Sequence, residues 1–138
     1  MITFLSDGVE MPEIDKQKVS IWLNYVALSH KKRVGTLNYI FCSDECELEI
    51  NRQYLGHDYY TDVITFDYSK ADTLSGDIFI SLDTVRSNAQ TVGTTEQQEL
   101  LRIVVHGLLH LTGQGDKTPE TKQQMTEKED SALQIWDK

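Results

Sequence analysis

No stretch of the chain approaches the ~20 consecutive apolar residues that span a bilayer, so no membrane helix is expected. Cysteine and proline are scarce, two of each in 138 residues. That excludes a disulfide-stapled scaffold and a collagen-like or polyproline chain. Positive charge is also short: 13 Lys and Arg stand against 22 Asp and Glu, a formal net charge of −9. Such a balance counts against nonspecific nucleic-acid binding, which normally uses a basic surface. It does not exclude an RNA enzyme, because the field inside a cleft decides there and a metal ion can be its largest charge. Internal repeats, low-complexity tracts and a signal-peptide pattern are all missing, so a cytoplasmic protein is expected. What is left, 39% apolar and 25% charged residues, is ordinary for a globular chain. The length suits a single domain over residues 1–138 with a true hydrophobic core.

The two thiols, Cys42 and Cys46, read as reduced cysteines at a strand end and in the helix after it. Two residues alone do not close a zinc site. The one basic run, His30-Lys31-Lys32-Arg33, reads as a charged cap closing a helix.

Periodicity predicts alternating strands and helices in the first half and mostly helices in the second. Ile2–Leu5 is a short strand. Asp15 caps a helix whose apolar stripe is Val19, Ile21, Trp22, Tyr25, Val26 and Leu28. Thr36–Cys42 alternates as a strand, with Leu37, Tyr39 and Phe41 on one side. A helix follows from Ser43 or Asp44 to Tyr54, with Cys46, Leu48 and Ile50 among its apolar positions. Val63–Phe66 is a β-branched strand, Asp67–Ser75 a polar loop, and Ile78–Ile80 lies in another strand. Short and long helices then open at Ser81 or Asp83, at Thr95, and at Thr118-Pro119. The sum is an α+β or α/β domain of about four strands, one sheet with helices over it; spacing alone does not fix the strand order.

The centre of the chain is Thr95 to Asp116. Thr95 caps a helix, Glu96 and Glu99 occupy its first turn, and Gly113 ends it. From Leu100 to Leu111 it is apolar all round except at Arg102, His106 and His110, so it is expected to be buried. The two imidazoles are four residues apart and share a face. Buried imidazoles need partners, and one divalent metal serves both. Gly113-Gln114-Gly115 permits a tight reversal through positive φ that returns Asp116 over the helix end. His106, His110 and Asp116 are therefore the candidate ligands of a Zn²⁺ site with an open fourth position.

Metal-assisted hydrolysis follows from such a site. A His-Glu-x-x-His peptidase carries its general base directly after the first histidine, and here that position is Gly107. The alternative is cleavage of a phosphodiester, by water or by a ribose 2′-hydroxyl.

The run from His106 to Gly113 resembles the signature of the YbeY family, bacterial metal-dependent endoribonucleases of rRNA maturation. So do Asn51-Arg52-Gln53-Tyr54, Thr61-Asp62-Val63-Ile64-Thr65-Phe66 and Gly76-Asp77-Ile78. Order, spacing and length agree over nearly the whole chain. The resemblance implies a mixed sheet with the metal cleft between it and the central helix. It also implies cutting of single-stranded RNA, 16S rRNA 3′-end processing and ribosome quality control, with the ribosome or small-subunit assembly proteins as partners. Two positions depart from the family pattern. Asp116 stands in place of a third histidine, and Leu55 in place of an arginine near the catalytic cleft; His57, two residues on, is the candidate substitute for that cation. Thr61 and Asp62 either line the mouth of the cleft or satisfy a helix-to-strand turn. Asp77 either orients a histidine or faces solvent, and Arg102 is expected to pair with Glu99 or Asp62. Two other functions stay open: an assembly factor with a structural metal, and a zinc-dependent hydrolase such as a peptidase.

Overall fold

The computed structural model describes residues 1–55 and 63–137. His57, Thr61, Asp62 and the side chain of Leu55 lie outside the described residues. The described elements run β1 (Ile2–Ser6), α1 (Lys16–Ser29), β2 (Arg33–Cys42), α2 (Asp44–Leu55), β3 (Val63–Asp67), β4 (Thr73–Ser81), α3 (Leu82–Val92), α4 (Glu96–Leu111) and α5 (Pro119–Trp136). The sheet order is β1-β2-β4-β3. β1 and β4 pair parallel with β2, and β3 pairs antiparallel with β4. The architecture is α+β with a mixed four-stranded sheet, as expected.

Helix starts follow their caps. Asp15, Ser81, Thr95 and Thr118 each accept a hydrogen bond from a backbone N–H in the first turn they precede. Pro119 occupies the first helical position of α5, where its missing N–H costs nothing.

The core forms on the sheet face that α4 covers. Leu37, Tyr39 and Phe41 of β2 and Ile78 and Ile80 of β4 are buried side by side. Ten residues of α4, from Glu99 to Leu111, are buried against that face or against neighbouring helices. The Tyr39 hydroxyl donates to the Val104 carbonyl at 3.0 Å, giving the phenol a partner inside the core. Gly107 sits on β4: a Cβ there would approach Ile78 Cγ2 to 2.9 Å, so this contact requires a residue without one. The Trp22 indole N–H donates to Ala132 O at 2.8 Å and ties α1 to α5.

Several expected boundaries and faces shift. The buried stripe of α1 is Val19, Trp22, Leu23, Val26 and Ala27, while Ile21, Tyr25 and Leu28 are exposed. The buried set follows i, i+3, i+4, i+7, i+8, whereas the expected set mixed two faces. In α2 the deeply buried residues are Glu47 and Asn51, one turn apart, not Cys46, Leu48 and Ile50. The basic run does not close α1: the helix ends at Ser29, Lys31 turns through φ 62°, and Arg33 already belongs to β2. β2 starts earlier than expected because Arg33 and Val34 pair with Thr73 and Leu74 before a register shift leads to Leu37 and Gly76. The polar loop is correspondingly shorter. Lys70 and Thr73 exchange backbone hydrogen bonds of 3.0 and 2.9 Å, so β4 begins at Thr73. Both cysteines are free thiols, Cys42 ending β2 and Cys46 within α2, as expected.

Candidate metal centre

α4 carries His106 and His110 on one face at the rim of the core, their side chains 12% and 26% exposed. After Leu111 the chain turns at Gly113 with φ 100°, a conformation that costs glycine little. Of the two glycines in the turn, Gly113 alone adopts positive φ. The reversal brings Asp116 back over the helix end. Its Oδ2 lies 3.4 Å from His106 Nε2 and 3.5 Å from His110 Nε2, and the two Nε2 atoms are 2.9 Å apart. Among the described residues these three are a group of His, Cys, Asp or Glu close enough to share one ion.

The donor set fits a divalent metal. Each histidine has Nδ1 against an acceptor: Glu129 Oε2 at 2.5 Å for His106 and the Gln114 carbonyl at 3.1 Å for His110. Each Nδ1 therefore carries a proton, and both Nε2 atoms point at each other and at a carboxylate oxygen. Three ligand atoms converging in this way are close enough to share one ion. Tetrahedral zinc with bonds of ~2.0–2.1 Å separates its ligand atoms by about 3.3 Å, and the three separations here bracket that value.

The site opens into a cleft of about 390 Å³ between α4 and the edge strand β3. Val63, Thr65 and Asp67 form the strand wall; His106, His110 and Leu111 form the helix wall; Asp116 and Lys117 complete the lining. Access on one side is what a catalytic metal needs, since a structural zinc site is closed by protein ligands.

Two residues that hold the histidines escaped the sequence reading. Glu129, on α5, bonds His106 through its buried carboxylate. Gln114 offers its carbonyl to His110 while its side chain is fixed by Lys128 Nζ at 2.6 Å. The spacing Met125-x-x-x-Glu129-x-x-Ala132 on α5 was the available signal, because it places Glu129 on the buried face of that helix. Asp77, one candidate for orienting a histidine, instead accepts from Asn38 Nδ2 at 2.9 Å and from the Tyr68 hydroxyl at 3.4 Å. Arg102 has the structural role expected of it. Its guanidinium forks onto Glu99 at 2.9 and 2.5 Å and reaches Glu129 at 3.0 Å. The hydrogen bonds to Glu99, joined by the charge of Glu129, hold its proton more tightly than usual.

Fold and site together define a class: an α+β protein with a His-His-Asp cluster, suited to one metal ion, in an open cleft. The family model described as Endoribonuclease YbeY matches residues 4–137, and the chain belongs to that family. It is 54% identical over 132 residues to Endoribonuclease YbeY of Bacteroides thetaiotaomicron, covering 96% of each chain. The Phocaeicola vulgatus protein of the same name is 52% identical over 135 residues, with 98% of each covered. Among solved structures, the solution structure of TM1509 from Thermotoga maritima superposes with a TM-score of 0.64 at 27% identity, covering 99% of this chain and 91% of that one.

Proposed function

We propose that the protein is a metal-dependent endoribonuclease that cuts single-stranded RNA in rRNA maturation, with His106, His110 and Asp116 holding one Zn²⁺. The observation that carries this reading is the convergence of those three side chains at the cleft mouth, in a chain whose relatives are named endoribonucleases. A zinc ion held by His106, His110 and Asp116 would polarise a phosphoryl oxygen and lower the pKa of water from ~15.7 toward about 7. The two imidazoles supply neutral Nε2 donors and Asp116 supplies charge. Lys117 also lines the cleft and offers an ammonium to a phosphodiester bound there. His57 belongs to the proposed catalytic set as the cation that replaces the family's arginine. Processing of the 16S rRNA 3′ end, ribosome quality control, small-subunit partners and a cytoplasmic location complete the proposal. No described helix is long and apolar enough to cross a membrane.

The peptidase reading meets a physical obstacle. Position 107, where a peptidase base would stand, faces Ile78 of the sheet and not the cleft. The assembly-factor reading is favoured by Leu55, which puts an apolar residue where the family carries its arginine.

The deciding experiment compares cleavage of a single-stranded RNA by the metal-loaded protein and by His110→Ala purified identically. Cleavage by the parent and none by the variant is expected. Equal cleavage in both, or none in either, moves the assembly-factor reading to first place.

A further inference from the structure

The imidazole of His106 is held from outside the ligand motif, by α5. Glu129 is 2% exposed and divides its two oxygens. Oε2 accepts from His106 Nδ1 and Oε1 accepts from Arg102 Nη1. The other edge of the Arg102 guanidinium is clamped by Glu99, 1% exposed. A row Glu99–Arg102–Glu129–His106 thus runs along the α4–α5 interface. A buried ion set of this kind does not by itself add stability over well-packed apolar residues. Its geometry supplies another use. With Oε1 tied to arginine, the carboxylate cannot swing, so the ring it bonds is fixed in one tautomer with Nε2 toward Asp116. Charge points the same way. Two carboxylates against one guanidinium leave one negative charge beside the ring, and Asp116 adds a second, together matching a divalent cation.

We propose that Glu129 is a positioning residue for the metal centre, acting through His106 and braced by Arg102 and Glu99. This rests on the reading of His106, His110 and Asp116 as metal ligands. His110 has a weaker counterpart, the neutral Gln114 carbonyl, and Gln114 is itself held by Lys128, the neighbour of Glu129 on α5. The last helix thus bonds one ring directly and reaches the other only through Gln114, and the charged contact makes His106 the stronger donor of the pair.

The test measures zinc affinity by competition with a chromophoric chelator for the parent, Glu129→Leu, Glu129→Gln and the exposed control Glu127→Gln. Removing such a partner costs a metal site roughly 10–100-fold in affinity, and that loss is expected for Glu129→Leu, with Glu127→Gln at the parental value. Glu129→Gln keeps an acceptor without the charge and is expected between the two. ¹⁵N NMR of the zinc-free protein reads the tautomer directly: His106 is expected as the Nδ1–H form in the parent and no longer held there in Glu129→Leu. If the leucine variant does not fold, the glutamine variant carries the test by the same titration. Parental affinity in every folded Glu129 variant would overturn the positioning role and leave the metal reading standing. A parent that takes up no zinc would overturn both.

Discussion

In the proposed site, a carboxylate at position 116 changes what the third ligand would contribute. Asp116 brings a negative charge and a short arm, and its side chain is 35% exposed, so water competes for it more than for the two histidines. Loss of either imidazole leaves two ligands, too few to retain zinc. His106→Ala and His110→Ala are therefore expected to purify without metal, and Asp116→Ala to hold it weakly. Asp116→His, restoring a third imidazole, is expected to hold it at least as tightly as the parent. Elemental analysis of the dialysed proteins decides, and full metal content in Asp116→Ala would remove that residue from the ligand set. The thiols make an independent expectation. Burial raises both Cys42 and Cys46 above the ordinary thiol range, with Cys46 and Glu47 adding to the effect on Cys42, and Asp7 to that on Cys46. Both are expected to react with iodoacetamide at pH 8 more slowly than an unfolded cysteine peptide. A labelling rate equal to the peptide's would sink this. At this scale the clustering of His106, His110 and Asp116 was legible in the sequence because their relation is local, one helical turn plus a glycine reversal. Glu129 was not, because its contact with His106 spans 23 residues and exists only once α4 and α5 pack.

α4 serves two tasks at once: one side packs the sheet, the other carries the imidazoles. Gly107 marks the division. Glutamate at this position, the arrangement of a zinc peptidase, would push a carboxylate into Ile78, which is fully buried. An uncompensated buried charge costs about 3–5 kcal/mol. Gly107→Glu is therefore expected to lose that much stability in urea unfolding and to gain no protease activity. A parental midpoint would mean that position 107 faces the cleft. The helices could be placed from their caps, since Asp15, Ser81, Thr95 and Thr118 act within one turn of themselves. The faces of α1 and α2 could not. Ile21, Tyr25 and Leu28 are as apolar as the residues that α1 buries, and only the partners across the interface select one stripe over another. The early starts of β2 and β4 share that cause: Arg33 and Thr73 become strand residues by pairing with each other.

For the molecule as a whole, the order β1-β2-β4-β3 puts β3 at an edge, and that edge is one wall of the cleft. Strand order was beyond the reach of periodicity, which reports which residues are buried but not which strands are neighbours. Metal binding to the folded chain stabilises all of it by mass action. At an ion concentration ~100 times the dissociation constant the gain is about 2.7 kcal/mol, which for a chain of this size raises the melting temperature by roughly 10 °C. Chelation is expected to reverse that shift, and a melting curve indifferent to zinc and chelator would separate the cluster from any metal. The placement of Glu129 has a consequence in time as well as in space. A protein is synthesised from its N-terminus, and its early segments fold first. His106, His110 and Asp116 leave the ribosome before the helix that orients His106, and α5 is the last of the described elements to emerge. The newborn chain thus carries His106, His110 and Asp116 before the helix whose Glu129 bonds His106, and that contact forms only when synthesis has passed residue 129.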